Sequence, residues 1–121
     1  MRTRGVVSVA AAIGALGLLA GAGTAEASSS HTYSGSKVSF TGSGDTITVK
    51  DTRGDGYGVW VFVDDQTNGK NYALQCGSGT HKAPATVRCV RNYPEGHKMR
   101  FVTYLRGKGK EISQGQFTAR A

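Results

Sequence analysis

The chain is poor in proline, cysteine and tryptophan: Pro84 and Pro94, Cys76 and Cys89, and Trp60 are the whole complement in 121 residues. Two cysteines are too few for a multiply stapled scaffold or an all-cysteine zinc site. The three histidines, His31, His81 and His97, are scattered and show no metal-ligand spacing, so no metal site is expected. There is no Gly-x-Ser-x-Gly elbow and no other nucleophile signature. A domain this small also has little room for both a core and a catalytic cleft, so neither an enzyme nor a cofactor-binding protein is expected. Beyond residue 27 no segment carries apolar residues at i, i+3, i+4 and i+7, which argues against amphipathic helices.

The one long apolar run lies at the start. Arg2 and Arg4 precede an apolar stretch from Val6 to about Ala22, and Ala25-Glu26-Ala27 follows. A charged start, an apolar middle and an A-x-A end make residues 1–27 a secretory signal peptide. The stretch is short and rich in Gly and Ala for a membrane span of ~20 residues, so no anchor is expected after cleavage. The expected product, residues 28–121, is secreted and extracellular. Loss of Arg2, Arg4 and Glu26 lowers the formal net charge of +7 by a single unit. Outside the cell Cys76 and Cys89 have only each other to pair with. Closing that loop contributes about 3 kcal/mol in the chain-entropy picture.

Ser28 to Ser36 is small and polar, without a period, and reads as an extended polar N-terminal arm. From Lys37 the pattern alternates. Val38 and Phe40 share one face, then Ile47 and Val49 after the turn at Gly42-Ser43-Gly44. Val59 to Val63 is apolar at every position, as in a strand at the middle of a sandwich. Asn68-Gly69 is a strong hairpin signal that leads into Tyr72 and Leu74. Further strands are expected over Thr86–Val90, around Met99 to Leu105, and over Ile112–Ala119. About seven short strands with turns between them predict an all-β domain over residues 37–121, a small antiparallel β-sandwich or barrel with one disulfide.

Three motifs fall short on inspection. Asp51 to Gly56 looks like a calcium loop, but an EF-hand register counted from Asp51 places Arg53 and Phe62 where oxygen ligands are required. Arg53-Gly54-Asp55 spells an adhesion tripeptide and reads more simply as a turn. Lys98, Arg100, Arg106, Lys108 and Lys110 gather around one hairpin. They suit a solvated face and protected edge strands better than a nucleic-acid or polyanion site.

What remains is a binding protein. A polar arm can lie along a partner as an added strand, which makes Ser28, Ser29, Ser30, His31, Thr32, Tyr33 and Ser34 the candidate contact residues, with Tyr33 as anchor. The leader, the turn-rich strands, the stretch Val49 to Gly56 and the Asn68-Gly69-Lys70 hairpin resemble small exported β-proteins of filamentous actinobacteria, most of all the adaptor subunit of umbrella toxin particles. That resemblance implies a non-catalytic adaptor in an antibacterial toxin complex used in interbacterial competition. It would link a lectin-bearing, trypsin-like subunit to the large subunit, with an extended N-terminal segment taking part in docking. The rival function is a secreted protease or glycosidase inhibitor presenting the disulfide-closed loop Gly77 to Ala85, with Lys82 at its tip. A third is a binder of polyanions, whose retention on heparin would weaken steeply with salt.

Overall fold

A computed structural model describes residues 28–79 and 83–121. The expected leader, residues 1–27, and the loop tip with His81 and Lys82 lie outside the described residues. The described residues form eight strands and no helix: β1 Ser28–Tyr33, β2 Ser36–Thr41, β3 Thr46–Asp51, β4 Gly58–Asp65, β5 Asn71–Gly77, β6 Ala85–Val90, β7 Lys98–Gly107 and β8 Lys110–Arg120. They build two antiparallel four-stranded sheets. Sheet A has the order β1-β2-β3-β6 and sheet B the order β5-β4-β7-β8.

Alternation dictates the packing, because side chains two apart share a face. Val38 and Phe40 of β2 and Ile47 and Val49 of β3 turn inward from sheet A; Val59, Val61 and Val63 of β4 and Met99 and Phe101 of β7 meet them from sheet B, all essentially buried. Rings run across this core from flank to flank. His31 stacks on Phe117 with centroids 4.1 Å apart, Phe117 on Phe101 at 5.0 Å, and Phe101 lies 4.6 Å from Phe40. Phe40 reaches Tyr93 at 6.2 Å and Tyr93 meets Tyr72 edge-on at 5.1 Å. Cys76 of β5 and Cys89 of β6 are joined across the two sheets, Cα atoms 5.8 Å apart. The bond is compatible with an extracellular protein.

The expected free arm is corrected by the structure. Ser28–Tyr33 is a strand, paired with β2 from Ser28↔Thr41 to Tyr33↔Ser36 through the Ser34-Gly35 turn. Its period of two was hidden because both faces are polar. Ser29, His31 and Tyr33 are half-buried while Ser28, Ser30 and Thr32 are exposed. The inward residues do hydrophobic work despite their polarity, His31 on Phe117 and Tyr33 against Gly115. Gly115 has φ +148°, and a Cβ there would lie 2.9 Å from the Tyr33 ring, so its lack of a side chain lets β1 close over β8.

The all-apolar run in β4 also needs refining. It is central in its sheet, between β5 and β7, but among the described residues no second layer covers its outer side. Trp60 and Phe62 point outward there and are half-buried.

Buried aspartates fasten the turns. Asp65 Oδ1 accepts from the Thr67 and Asn68 amides at 2.8 and 3.2 Å, and its Oδ2 lies 2.6 Å from His97 Nδ1. Asp45 Oδ2 accepts from the Tyr93 amide at 2.8 Å. Asp51 Oδ1 accepts from the Arg53 amide at 3.3 Å, which commits the start of the calcium-like loop to its own backbone.

Candidate functional site

The four edge strands are protected unequally. On β8 a register shift falls opposite Thr103 and Tyr104, and Lys110, Glu111 and Arg120 lie along the strand. On β5 two register shifts break the pairing with β4, and Ala73 takes φ 62°. β6 is tied to β5 by the disulfide, and Arg91 beyond its end donates from Nε and Nη2 to the Gln75 carbonyl at 3.0 and 2.6 Å. Bulges, charges and covalent ties all discourage a further strand from adding. β1 has none of these. Its sequence, Ser-Ser-Ser-His-Thr-Tyr, contains no Lys, Arg or Pro, and its register with β2 is unbroken.

The seven candidate contact residues therefore divide. Ser28, Ser30, Thr32 and Ser34 are exposed and can meet a partner. Ser29 and His31 are half-buried, with Ser29 Oγ 2.8 Å from His31 Nε2. Tyr33, expected as the outward anchor, is turned into the sandwich, and burial raises its phenol pKa. The β1–β2 turn is clamped from sheet B: Gln114 Nε2 donates to the Ser34 carbonyl at 2.6 Å, and Ser36 Oγ donates to Gln114 Oε1.

The disulfide-closed loop has a fixed base. The Ser78 amide donates to the Val59 carbonyl at 2.8 Å, and Ser78 Oγ accepts from the Val59 amide at 2.9 Å. Cys89 holds the other side.

Two of the five cations of the basic hairpin are ion-paired. Arg100 donates from Nε and Nη2 to both Asp64 oxygens, at 3.1 and 2.6 Å, and these bonds raise its pKa further. Arg106 pairs with Glu111 at 2.5 Å, and Lys108 lies 5.2 Å from the Tyr57 ring. Lys98 and Lys110 remain exposed at its ends.

Those two arginine pairs frame a feature that the sequence did not disclose: an open groove of about 420 Å³ on the outer face of sheet B. Phe62, Val102 and Tyr104 line it, with Asp64–Arg100 on one side and Arg106–Glu111 on another. Phe62 and Tyr104 meet edge to face, centroids 5.6 Å apart. The Arg106 guanidinium sits over both Phe62, at 5.1 Å, and Trp60, at 5.6 Å. Trp60 is seated against Gly77, where any Cβ would lie 2.6 Å from the indole. The signal was present but spread out: Phe62 and Asp64 of β4 and Arg100, Val102, Tyr104 and Arg106 of β7 contribute, and the register Phe62↔Val102, Asp64↔Arg100 brings them together.

Among the described residues no three His, Cys, Asp or Glu side chains are grouped to hold a metal ion, and no helix is long and apolar enough to cross a membrane. No family model, curated protein or solved structure matches the chain.

Proposed function

We propose that this is a secreted, non-catalytic protein-binding module that receives its partner on the free edge of β1, and that it acts as an adaptor between a lectin-bearing, trypsin-like subunit and the large subunit of an antibacterial toxin particle. The observation that carries the binding role is the contrast among the edges: three are bulged, charged or stapled, and β1 is unbulged and free of Lys, Arg and Pro. An edge of that kind pairs readily with an extended segment of another chain, whose backbone supplies the hydrogen bonds. Export rests on the charged, apolar and A-x-A parts of residues 1–27 and agrees with the disulfide.

Affinity capture from culture supernatant, followed by mass spectrometry, tests this directly. Deleting β1 is a poor variant, because it uncovers Phe117. Ser30→Lys with Thr32→Lys keeps the strand and places charge beside its edge. Capture of large secreted proteins by the native chain, lost in this variant, supports the adaptor. Recovery as a free monomer refutes it. An inhibitor acting through loop 77–85 predicts instead inhibition of a trypsin-like enzyme, unaffected by the β1 changes.

A further inference from the structure

From the groove on sheet B we infer a second, separate binding site, for a neutral glycan chain. Three observations support it. First, Tyr104 places aromatic surface in an open trough of about 420 Å³, beside a Phe62 ring that Arg106 covers. That size lies within the usual range for small-ligand sites, roughly 300 to 1,000 Å³. A pyranose ring carries C–H groups on its flat faces and packs on such surface, while its hydroxyls project around the rim.

Second, the rim of the groove offers both kinds of hydrogen-bonding group at fixed positions. A sugar hydroxyl is at once a donor and an acceptor. Asp64 and Glu111 accept; Arg100 and Arg106 donate, and each arginine keeps guanidinium N–H groups beyond those used on its carboxylate. Mutual pairing orients these four side chains before a ligand arrives, which lowers the ordering cost of binding. Arg106 is held further by the two rings beneath it.

Third, the charges cancel: two guanidiniums face two carboxylates. A polyanion would have to approach Asp64 and Glu111, and an apolar chain would leave the ion pairs without hydroxyl partners. A neutral polyhydroxy ligand meets neither penalty. The site is on the outer face of sheet B, whereas β1 is an edge of sheet A, so this inference does not depend on the adaptor function.

The test is affinity gel electrophoresis and calorimetry of the purified protein with soluble mannan, dextran, hydroxyethyl cellulose and chitohexaose, with heparin as the anionic comparison. Saturable binding to at least one neutral glycan is expected, with affinity nearly constant between about 50 and about 500 mM salt, because no counterions are released. Tyr104→Ala should abolish it. Glu111→Gln, on a half-exposed side chain where misfolding is no concern, should weaken it about tenfold through loss of a charged acceptor. Thermal melting verifies that Tyr104→Ala is folded. Failure to bind any of the four glycans, binding that survives both substitutions, or retention on heparin alone with steep loss in salt would each overturn the site.

Discussion

The two flanks of the sandwich are closed by different means. On one, β5 and β6 are joined by Cys76–Cys89, with Arg91 bridging to the Gln75 carbonyl. On the other, β1 lies over β8 with no covalent bond, held by His31 on Phe117, Tyr33 against Gly115, and the Gln114 clamp. The first closure acts mainly by restricting the unfolded chain. The second acts by contact in the folded state, and contact requires shape. The stapled flank is therefore expected to tolerate changes of side-chain volume that the packed flank does not.

The largest effect should come from the packed flank. Phe117 is 7% exposed and carries stacked rings on both faces. Phe117→Ala should cost about 3 to 4 kcal/mol in denaturant titration, as large-to-small changes of buried aromatics do. Next comes the staple: Cys76→Ser with Cys89→Ser should cost about 3 kcal/mol. Hydrogen exchange distinguishes the two. The serine pair should speed exchange first in β5 and β6, and Phe117→Ala first in β1 and β8. The same pattern in both variants would mean that the sandwich opens as one unit and the flanks are not separable.

A smaller change tests shape alone. Gly115→Ala adds one methyl where φ is +148° and the Tyr33 ring is 2.9 Å from the new Cβ. It should destabilise by roughly 1 to 3 kcal/mol, the range for strain and overpacking. Gly115→Ala combined with Tyr33→Ala should recover the steric part of that loss. No recovery would place the whole cost in the backbone.

The unequal flanks were also unequally legible. The stapled one followed from two cysteines, alternation in β5 and β6, and the expectation of export to an oxidising space. The packed one was hidden, because strand reading depends on apolar–polar contrast and β1 sets Ser, His and Tyr on one face against Ser and Thr on the other. Gly115 carries no local signal, because its role depends on the Tyr33 ring from a strand about 80 residues away. The central strands were plain because Val38, Phe40, Ile47 and Val49 alternate with Thr, Ser and Lys. The groove could not be read locally at all. Its residues come from several strands between Phe62 and Glu111 and meet only through register. Arg100 and Arg106, which suggested a solvated basic face, turned out to be half of two ion pairs.

Acid should separate the flanks by chemistry instead of volume. The segment that leads into β5 is anchored by Asp65, whose carboxylate accepts two amides and faces His97. Burial alone would raise its pKa, but the His97 hydrogen bond and the Asn68 and Thr67 amides outweigh it and hold the carboxyl below its ordinary value of 3.8. A group whose pKa is lower folded than unfolded adds stability above the unfolded value and loses it as pH falls through the folded one. Stability from Asp65 is thus complete above about pH 4 and drains away below it. The polar contacts that tie the β1–β2 turn and the start of β2 to β8 use the Gln114 amide, the Ser34 carbonyl and the Ser36 hydroxyl, without a carboxylate. Hydrogen exchange compared between about pH 5 and about pH 3, corrected for intrinsic rates, should show β5 loosening before β1. In Asp65→Asn that difference should disappear, because no proton is then taken up at the root of β5. If β1 loosens first in the native chain, the packed flank is the acid-sensitive one, and the division between covalent and contact closure does not extend to pH.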